Sequence, residues 1–182
     1  MIAGVDEAGR GPLAGPIVAA AVILPLNCSL PGLDDSKKLT PKQRDRLFFE
    51  IKKQALGIGI SLISHRRIDE LNIGKANLLV LHNAVARLRP APNFVIVDGR
   101  QKIPGLKIPQ QAIIRGDGKC NSIAAASVIA KVTRDRIMEK YHLKYPQYDF
   151  AQHKGYATKG HRRSLSLHGP CAIHRRSFAY VA

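Results

Sequence analysis

The sequence predicts an α/β layered domain, and three observations support this prediction. Segments rich in Val and Ile alternate along the chain with segments whose apolar residues recur at helical spacing. Glycines and prolines separate these segments, with no internal repeat, low-complexity tract or linker between them. The 182 residues, 45% of them hydrophobic, suffice for one domain with a substantial core.

The first elements are two strands and a helix. Residues 2–5 and 17–24 are apolar, and prolines bound the second run on both sides. Thr40 then provides a helix cap, with a proline directly after it and Gln43 three residues on. This pattern predicts a helix that runs to about Leu56 and ends at a glycine.

The next elements repeat the alternation of strand and helix. A third strand is predicted where Ile58, Ile60 and Leu62 alternate with small or polar residues. The segments that follow are a helix at about 75–88, a short strand at 94–97, a weaker strand at 108–114, and a long alanine-rich helix from 122 to about 144.

The end of the chain is basic and partly helical. Because Tyr145-Pro146 interrupts the long helix, a C-terminal lobe of about 146–182 is predicted. It is expected to belong to a single domain that spans 1–182.

The charge balance of the chain limits the classes of molecule that it is expected to bind. Lys and Arg number 29 against 13 Asp and Glu, which gives a formal net charge of +16. Such an excess attracts polyanions, so nucleic acid, an anionic membrane surface or an acidic protein are the leading partners. The longest apolar run, 17–24, is far shorter than the roughly 20 residues that cross a bilayer.

The short apolar run and the lack of a signal peptide predict a cytoplasmic protein, and no membrane partner is expected. Asp6 and Glu7 stand where a signal peptide needs positive charge. Cys28, Cys120 and Cys171 are odd in number and far apart, which argues against a disulfide framework or a cysteine zinc site.

Acidic residues follow two of the predicted strands. The first strand leads into Asp6-Glu7 and the 94–97 strand into Asp98, while Asp117 precedes the alanine-rich helix. If the two strands are parallel neighbours, their carboxylates emerge at one edge of the sheet, where α/β proteins place active sites. Oxygen-only ligands indicate Mg²⁺ or Mn²⁺, and two such ions can promote phosphodiester cleavage. The alternative is that each is an ordinary acid in a turn.

A glycine-rich loop follows the first strand. Gly9-Arg10-Gly11 is part of a segment that leads through prolines into another strand, not into a helix as a dinucleotide loop would. Closely spaced glycines instead allow a nucleic-acid strand to approach backbone N–H groups.

With these residues in view, the chain resembles ribonuclease HII of the bacterial type. The matching blocks occur in the family's order from residue 2 to residue 178. They are Gly4-Val5-Asp6-Glu7-Ala8-Gly9-Arg10-Gly11-Pro12, Asp35-Ser36-Lys37-Lys38-Leu39, Val97-Asp98-Gly99, Gly116-Asp117, Ile123-Ala124-Ala125-Ala126-Ser127, Ala130-Lys131-Val132-Thr133-Arg134-Asp135, His153-Lys154-Gly155-Tyr156-Ala157-Thr158 and His174-Arg175-Arg176-Ser177-Phe178.

The resemblance implies a ribonuclease H-like mixed sheet flanked by helices, with a small helical C-terminal extension. It also implies a monomeric, metal-dependent endonuclease that cleaves RNA in RNA/DNA hybrids and incises 5′ to single ribonucleotides in duplex DNA, leaving 5′-phosphate and 3′-hydroxyl ends. By position in the motifs, the catalytic and metal-binding carboxylates are Asp6, Glu7, Asp98 and Asp117, and the substrate-binding residues are Gly9, Arg10, Gly11 and Tyr156.

Several assignments are weaker. Asp135 competes with Asp117, but it lies well along the helix, so a structural pairing with Arg134 or a nearby Lys is expected. Ribonuclease HIII, the close relative, typically has a Glu in the fourth place and an extra N-terminal domain, which favours HII. Basic residues expected to contact phosphate are Lys37 and Lys154, and less specifically Lys38, Lys131, Arg175 and Arg176.

The remaining expectations concern histidines and other classes of function. His153, His161, His168 and His174 lack metal-ligand spacing and are expected at the surface or beside substrate. A basic nucleic-acid-binding module without catalysis is the alternative to a nuclease. A nucleotide-binding enzyme is disfavoured because the chain has no phosphate-binding G-x-x-x-x-G-K-[ST] loop.

Overall fold

A mixed five-stranded sheet forms the centre of the computed structural model, which describes residues 1–181. The strand order is β3-β2-β1-β4-β5. The strands are β1 (Ile2–Ala8), β2 (Ile17–Ile23), β3 (Gly57–Ile63), β4 (Phe94–Asp98) and β5 (Gln110–Ile113). The predicted α/β class with a mixed sheet is therefore confirmed.

The direction of the strands changes at β1. β1 pairs antiparallel with β2, and β2 antiparallel with β3, whereas β4 lies parallel to both β1 and β5. Every residue of β2 is buried, which explains its continuous apolar sequence. The parallel pairing of β1 with β4 is the arrangement on which the predicted site depends.

Helices cover both faces of the sheet and form the C-terminal lobe. They are α1 (Pro41–Gln54), α2 (His65–Leu71), α3 (Ile73–Ala86), α4 (Asn121–Lys144), α5 (Phe150–His153) and α6 (Lys159–His168). The predicted cap of α1 is confirmed, because Thr40 and Gln43 exchange the two hydrogen bonds of a capping box. The short helix α2 has no counterpart among the predictions.

Two apolar cores lie on opposite faces of the sheet. Alternate residues of β2 face opposite cores. Ile17 and Ala19 pack in the core that includes α3, whereas Ala20 and Val22 pack in the core that includes α1 and α4. The N-terminal turn of α4 approaches β1 so closely that a Cβ on Gly4 would lie 2.1 Å from the Ser122 carbonyl carbon. This contact fixes α4 against the strand that carries Asp6.

A third core joins the C-terminal lobe to the loop between β1 and β2. Leu13 and Ala14 of that loop pack with Met138, Phe150 and Ile173. The lobe's final residue, 182, lies outside the described residues. Within 1–181, the helices are too short or too polar to cross a membrane.

Candidate active site

The ends of β1 and β4 bring three of the predicted carboxylates together. Val5 of β1 pairs with Val97 of β4 in parallel register, so the next residues of the two strands, Asp6 and Asp98, lie side by side. Asp6 is buried, and Glu7 and Asp98 are half-buried. The parallel-neighbour arrangement expected from the sequence is confirmed.

The turn before α4 adds Asp117 to this group. Asp117 lies in a single 3₁₀ turn, Gly116–Gly118, and the Gly116 N–H donates to Asp98 Oδ1 at 2.7 Å. A Cβ on Gly116 would lie 2.6 Å from Ile123 Cδ1, so only glycine fits there without displacing that side chain. One carboxylate oxygen each from Asp6, Asp98 and Asp117 lie within 4.8 Å of one another, a set that can hold a metal ion.

Burial and mutual repulsion shift the protonation of these acids. Burial, followed by repulsion from Glu7 and Asp98, raises the pKa of Asp6 well above its usual value. Burial likewise raises the pKa of Glu7 and of Asp117. A cation between the carboxylates would offset the repulsion that the bare protein carries.

Two cations of the chain lie at the acidic cluster: Arg10, whose Nη1 is 3.6 Å from Glu7 Oε1, and Lys37. Lys37 Nζ lies 3.7 Å from Asp117 Oδ2 and 3.9 Å from Asp35 Oδ1. Asp35 is a neighbour that the predictions did not include, and it contributes to the raised pKa of Asp117. Ser36 Oγ and Ser127 Oγ, 2.6 Å apart, tie this loop to α4.

The glycine loop and Tyr156 line the same cavity as three of the four acids. The cavity measures about 550 Å³, and its lining includes Asp6, Glu7, Gly9, Arg10, Gly11, Lys37, Asp98 and Tyr156. Tyr156 remains 42% exposed at this surface. The structure thus brings the predicted substrate-binding residues beside the predicted catalytic ones.

Other basic residues lie elsewhere than expected. Lys154 Nζ pairs with Glu139 at 2.8 Å and does not line the cavity of the carboxylates. Arg175 is fully buried, so the expectation that it contacts phosphate is wrong. Asp135 accepts from Lys131 at 2.6 Å, which confirms its expected structural pairing.

Three of the C-terminal histidines are buried, whereas they were expected at the surface or beside substrate. His161 and His174 are almost fully enclosed, and their Nε2 atoms are 3.0 Å apart. His153 is also buried and contacts the Tyr148 carbonyl. Several of their polar partners are near in sequence, such as Tyr156 for His161, but the contact between His161 and His174 spans 13 positions and forms only when the lobe folds.

An acidic cluster at the edge where β1 and β4 end, in a sheet ordered β3-β2-β1-β4-β5, defines the class of nucleases with a ribonuclease H fold. The comparisons with known proteins agree. A family model described as ribonuclease HII matches residues 3–181. The chain belongs to the ribonuclease HII family.

Individual relatives cover nearly the whole chain. A ribonuclease HII from Geobacter sulfurreducens is 54% identical over 180 residues, which are 99% of this chain and 82% of the relative. The crystal structure of ribonuclease H2 from Pyrococcus horikoshii superposes with a TM-score of 0.83 at 29% identity, covering 99% of this chain and 94% of that one. The structure of a PCNA complex with ribonuclease HII from Archaeoglobus fulgidus matches with a TM-score of 0.82 at 29% identity, covering 97% and 93%.

Family membership decides between the classes of function considered above. The chain is a ribonuclease H, an endonuclease that acts on RNA/DNA hybrids. The alternative of a binding module without catalysis is therefore rejected.

Proposed function

We propose that this ribonuclease H incises duplex DNA on the 5′ side of a single embedded ribonucleotide, in a reaction that depends on divalent metal. The observation that carries the proposal is the shared cavity: Gly9, Arg10, Gly11 and Tyr156 line it together with three of the four acids, Asp6, Glu7 and Asp98. A site that joins metal-binding acids to groups suited to a ribose can combine cleavage with recognition of one nucleotide. Such an activity serves ribonucleotide removal in DNA repair and replication.

The carboxylates fit Mg²⁺ or Mn²⁺, because both prefer oxygen ligands. Asp6, Asp98 and Asp117 would hold the metal, with Glu7 beside them. Two ions in the substrate complex would supply an activated water and stabilise the leaving oxygen. The chain's own part is to fix these four acids, Asp98 through its hydrogen bond from Gly116, at the edge where the strands end.

Discrimination between RNA and DNA must come from the 2′-hydroxyl, since phosphate contacts are the same in both. Within residues 1–181, the backbone N–H groups of Arg10 and Gly11 have no backbone partner, and both residues are exposed. These donors suit a ribose hydroxyl, and glycine leaves room for the sugar. The exposed ring of Tyr156 suits packing on the sugar of the following deoxynucleotide.

The partners follow from the same site. The enzyme binds RNA/DNA hybrids and ribonucleotide-containing duplex DNA as a monomer. Lys37, next to the acids, is suited to a nearby phosphate, while Lys154 is a weaker phosphate contact at a distance from the centre.

The test is cleavage of a duplex DNA that contains one ribonucleotide, in Mg²⁺ and in Mn²⁺. An RNA/DNA hybrid is the positive control for family activity, and all-DNA and all-RNA duplexes are the negative controls. The expected product carries the ribonucleotide at the 5′ end of the downstream fragment, with a 5′-phosphate. Cleavage of the hybrid but not of the single-ribonucleotide duplex would contradict the proposal, as would equal activity in EDTA.

A further inference from the structure

Two arginines lie buried beneath the glycine loop without an acidic partner. Arg134 of α4 and Arg175 near the C-terminus are at most 1% exposed. In residues 1–181, neither forms an ion pair with a carboxylate. Buried charges are usually paired with an opposite charge. The groups that accept hydrogen bonds from these two guanidiniums therefore indicate what the two arginines do.

Arg134 holds three carbonyl oxygens on two segments. Its Nε donates to the Pro16 carbonyl at 2.9 Å and its Nη2 to the Ala14 carbonyl at 3.0 Å, both in the loop after β1. Its Nη1 donates to the Lys154 carbonyl at 2.9 Å, two residues before Tyr156. The guanidinium carbon also lies 5.8 Å from the centroid of the Tyr156 ring.

Arg175 holds the glycine loop itself. Its Nη2 donates to the Gly9 carbonyl at 2.6 Å and its Nη1 to the Arg10 carbonyl at 2.9 Å. Its Nε donates to the Gly15 carbonyl at 3.0 Å. With these carbonyls held on the inner side, the peptide N–H groups of Arg10 and Gly11 remain for a ligand.

Glycine is required at position 9, where Arg134 passes beneath the loop. A Cβ on Gly9, whose φ is +103°, would lie 2.2 Å from Arg134 Nε. Because Gly9 has no side chain, it leaves room for the guanidinium of Arg134 on the inner side of the loop and for a sugar on the outer side. The conformation of the loop and the placement of Arg134 depend on each other.

Burial lowers the pKa of both arginines, but both keep their positive charge. It lowers the pKa of Arg134 to about 10 and of Arg175 to about 9, so both remain cationic at neutral pH. A lysine would keep the charge, but its single ammonium cannot reproduce a planar fork of donors aimed at three carbonyls. The arrangement therefore depends on guanidinium geometry.

We propose that Arg134 and Arg175 are positioning residues that determine ribonucleotide specificity by holding the Gly9–Gly11 loop and Tyr156 from inside the protein. Neither touches substrate. The inference rests on the proposed function, because it assigns the basis of the specificity that function requires. Displacing the loop by a fraction of an ångström would weaken contacts to the 2′-hydroxyl while leaving phosphate contacts in place.

The test compares Arg134→Lys and Arg175→Lys in an Asp98→Asn background that cannot cleave. Affinity is measured for a duplex with one ribonucleotide and for the all-DNA duplex of the same sequence. The matched control is Arg87→Lys, because Arg87 also donates to a carbonyl, that of Ile60, but far from the loop. Circular dichroism and denaturant unfolding establish that each variant is folded.

In the folded variants, the preference for the ribonucleotide duplex should fall by about tenfold or more, equivalent to ~1.4 kcal/mol. Affinity for the all-DNA duplex should stay within about twofold, because the charge is unchanged. An unchanged preference would overturn the inference, and so would an equal loss for both duplexes. Absence of any preference in the Asp98→Asn parent would instead count against the proposed function.

A second measurement does not depend on the lysine variants folding. In Asp98→Asn protein with ¹⁵N-labelled arginine, the buried Nε–H signals of Arg134 and Arg175 are followed during titration with each duplex. The ribonucleotide duplex should shift them more than the all-DNA duplex, because it engages the loop whose carbonyls they hold. Identical shifts with the two duplexes would overturn the inference.

Discussion

Asp98, at the end of β4, makes a structural hydrogen bond and is also proposed as a metal ligand. One of its oxygens accepts the Gly116 N–H at 2.7 Å, and the carboxylate also belongs to the set that can hold metal. An asparagine keeps an oxygen for the first role but lacks the charge for the second. The two roles can therefore be separated by a single substitution.

We predict that Asp98→Asn abolishes cleavage of the RNA/DNA hybrid while the fold is retained. Activity should fall by at least about a hundredfold in Mg²⁺, and the rise in Tm on adding Mn²⁺ should shrink. Hybrid cleavage and thermal unfolding with and without Mn²⁺ measure the two effects. Turnover near that of the wild type in the folded variant would remove Asp98 from the metal ligands.

Substitutions of Tyr156 test whether this side chain takes part in recognising the ribonucleotide. Tyr156→Ala should lose cleavage of the single-ribonucleotide duplex far more than Tyr156→Phe does, because the ring provides the packing surface and the hydroxyl only a polar contact. Rates on the single-ribonucleotide duplex and on a continuous hybrid measure the effect. Equal rates for Tyr156→Ala and wild type on the first substrate would remove Tyr156 from the site.

At the scale of elements, the contact between β1 and α4 places Asp6 and Asp117 on one side of the sheet. Gly4 makes this contact possible, because a Cβ there would lie 2.1 Å and 2.3 Å from backbone atoms of Ser122 and Ile123. Backbone atoms cannot move aside as a flexible side chain can. The strand and the helix must therefore separate if the glycine is replaced.

We predict that Gly4→Ala lowers the free energy of unfolding by about 2–4 kcal/mol, in the range of severe overpacking. The matched control is Gly160→Ala in α6, where the nearest atom to a new Cβ is 4.0 Å away. That change should be neutral or stabilising by up to about 1 kcal/mol. Denaturant unfolding of both variants is the measurement, and similar stabilities would contradict the account of this contact.

The C-terminal lobe contains a chain of hydrogen bonds that requires neutral histidines. The Cys171 N–H donates to His174 Nδ1 at 2.9 Å, so His174 Nε2–H donates to His161 Nε2. His161 Nδ1–H then donates to the Tyr156 carbonyl at 2.9 Å. Burial, with His161 next in importance, lowers the pKa of His174 to about 4.

This depressed pKa makes the stability of the protein depend on pH. The unfolded chain binds a proton near pH 6.5, and the folded chain does so only near pH 4, so stability is greatest above pH 6.5 and falls as the pH decreases. From pH 7.5 to pH 5 the loss due to His174 should be about 2 kcal/mol. His174→Gln should be less sensitive over this range, whereas exposed His168→Gln should follow the wild type; denaturant unfolding at both pH values checks this.

At the scale of the whole molecule, the net charge of +16 attracts the polyanionic nucleic-acid substrate to the enzyme. Lysines and arginines that neutralise phosphates release condensed counterions, so affinity should fall linearly with salt on logarithmic axes. The structure distinguishes two lysines in this respect. Lys37 is 77% exposed beside the acids, whereas Lys154 pairs with Glu139.

We predict that Lys37→Ala reduces the salt slope by about 1, as expected for the loss of one phosphate contact. Lys154→Ala should reduce it less, because Glu139 already neutralises this lysine at 2.8 Å. The measurement is the affinity of cleavage-deficient enzyme for hybrid across a range of salt concentrations. A flat dependence in the wild type would contradict the electrostatic account.

The sequence by itself determined the class of fold, most of its elements and the acids that the structure brings together at one edge of the sheet. Local signals suffice for these, because apolar periodicity, the capping box at Thr40 and the acids near the ends of β1 and β4 are all visible in neighbouring residues. The α2 helix was missed because a seven-residue segment carries too little periodicity to stand out. The resemblance to a family supplied the proposed roles of Gly9–Gly11 and Tyr156, which periodicity could not indicate.

Only the tertiary structure decided the roles of the buried polar residues. Arg175 was expected at phosphate and His174 at the surface, yet both are enclosed by groups distant in the chain. Arg175 reaches the Gly9 carbonyl across 166 positions, and His174 reaches His161 across 13. A charged or polar residue type predicts exposure on average, and burial becomes favourable only when folding brings enough hydrogen-bond partners to one place.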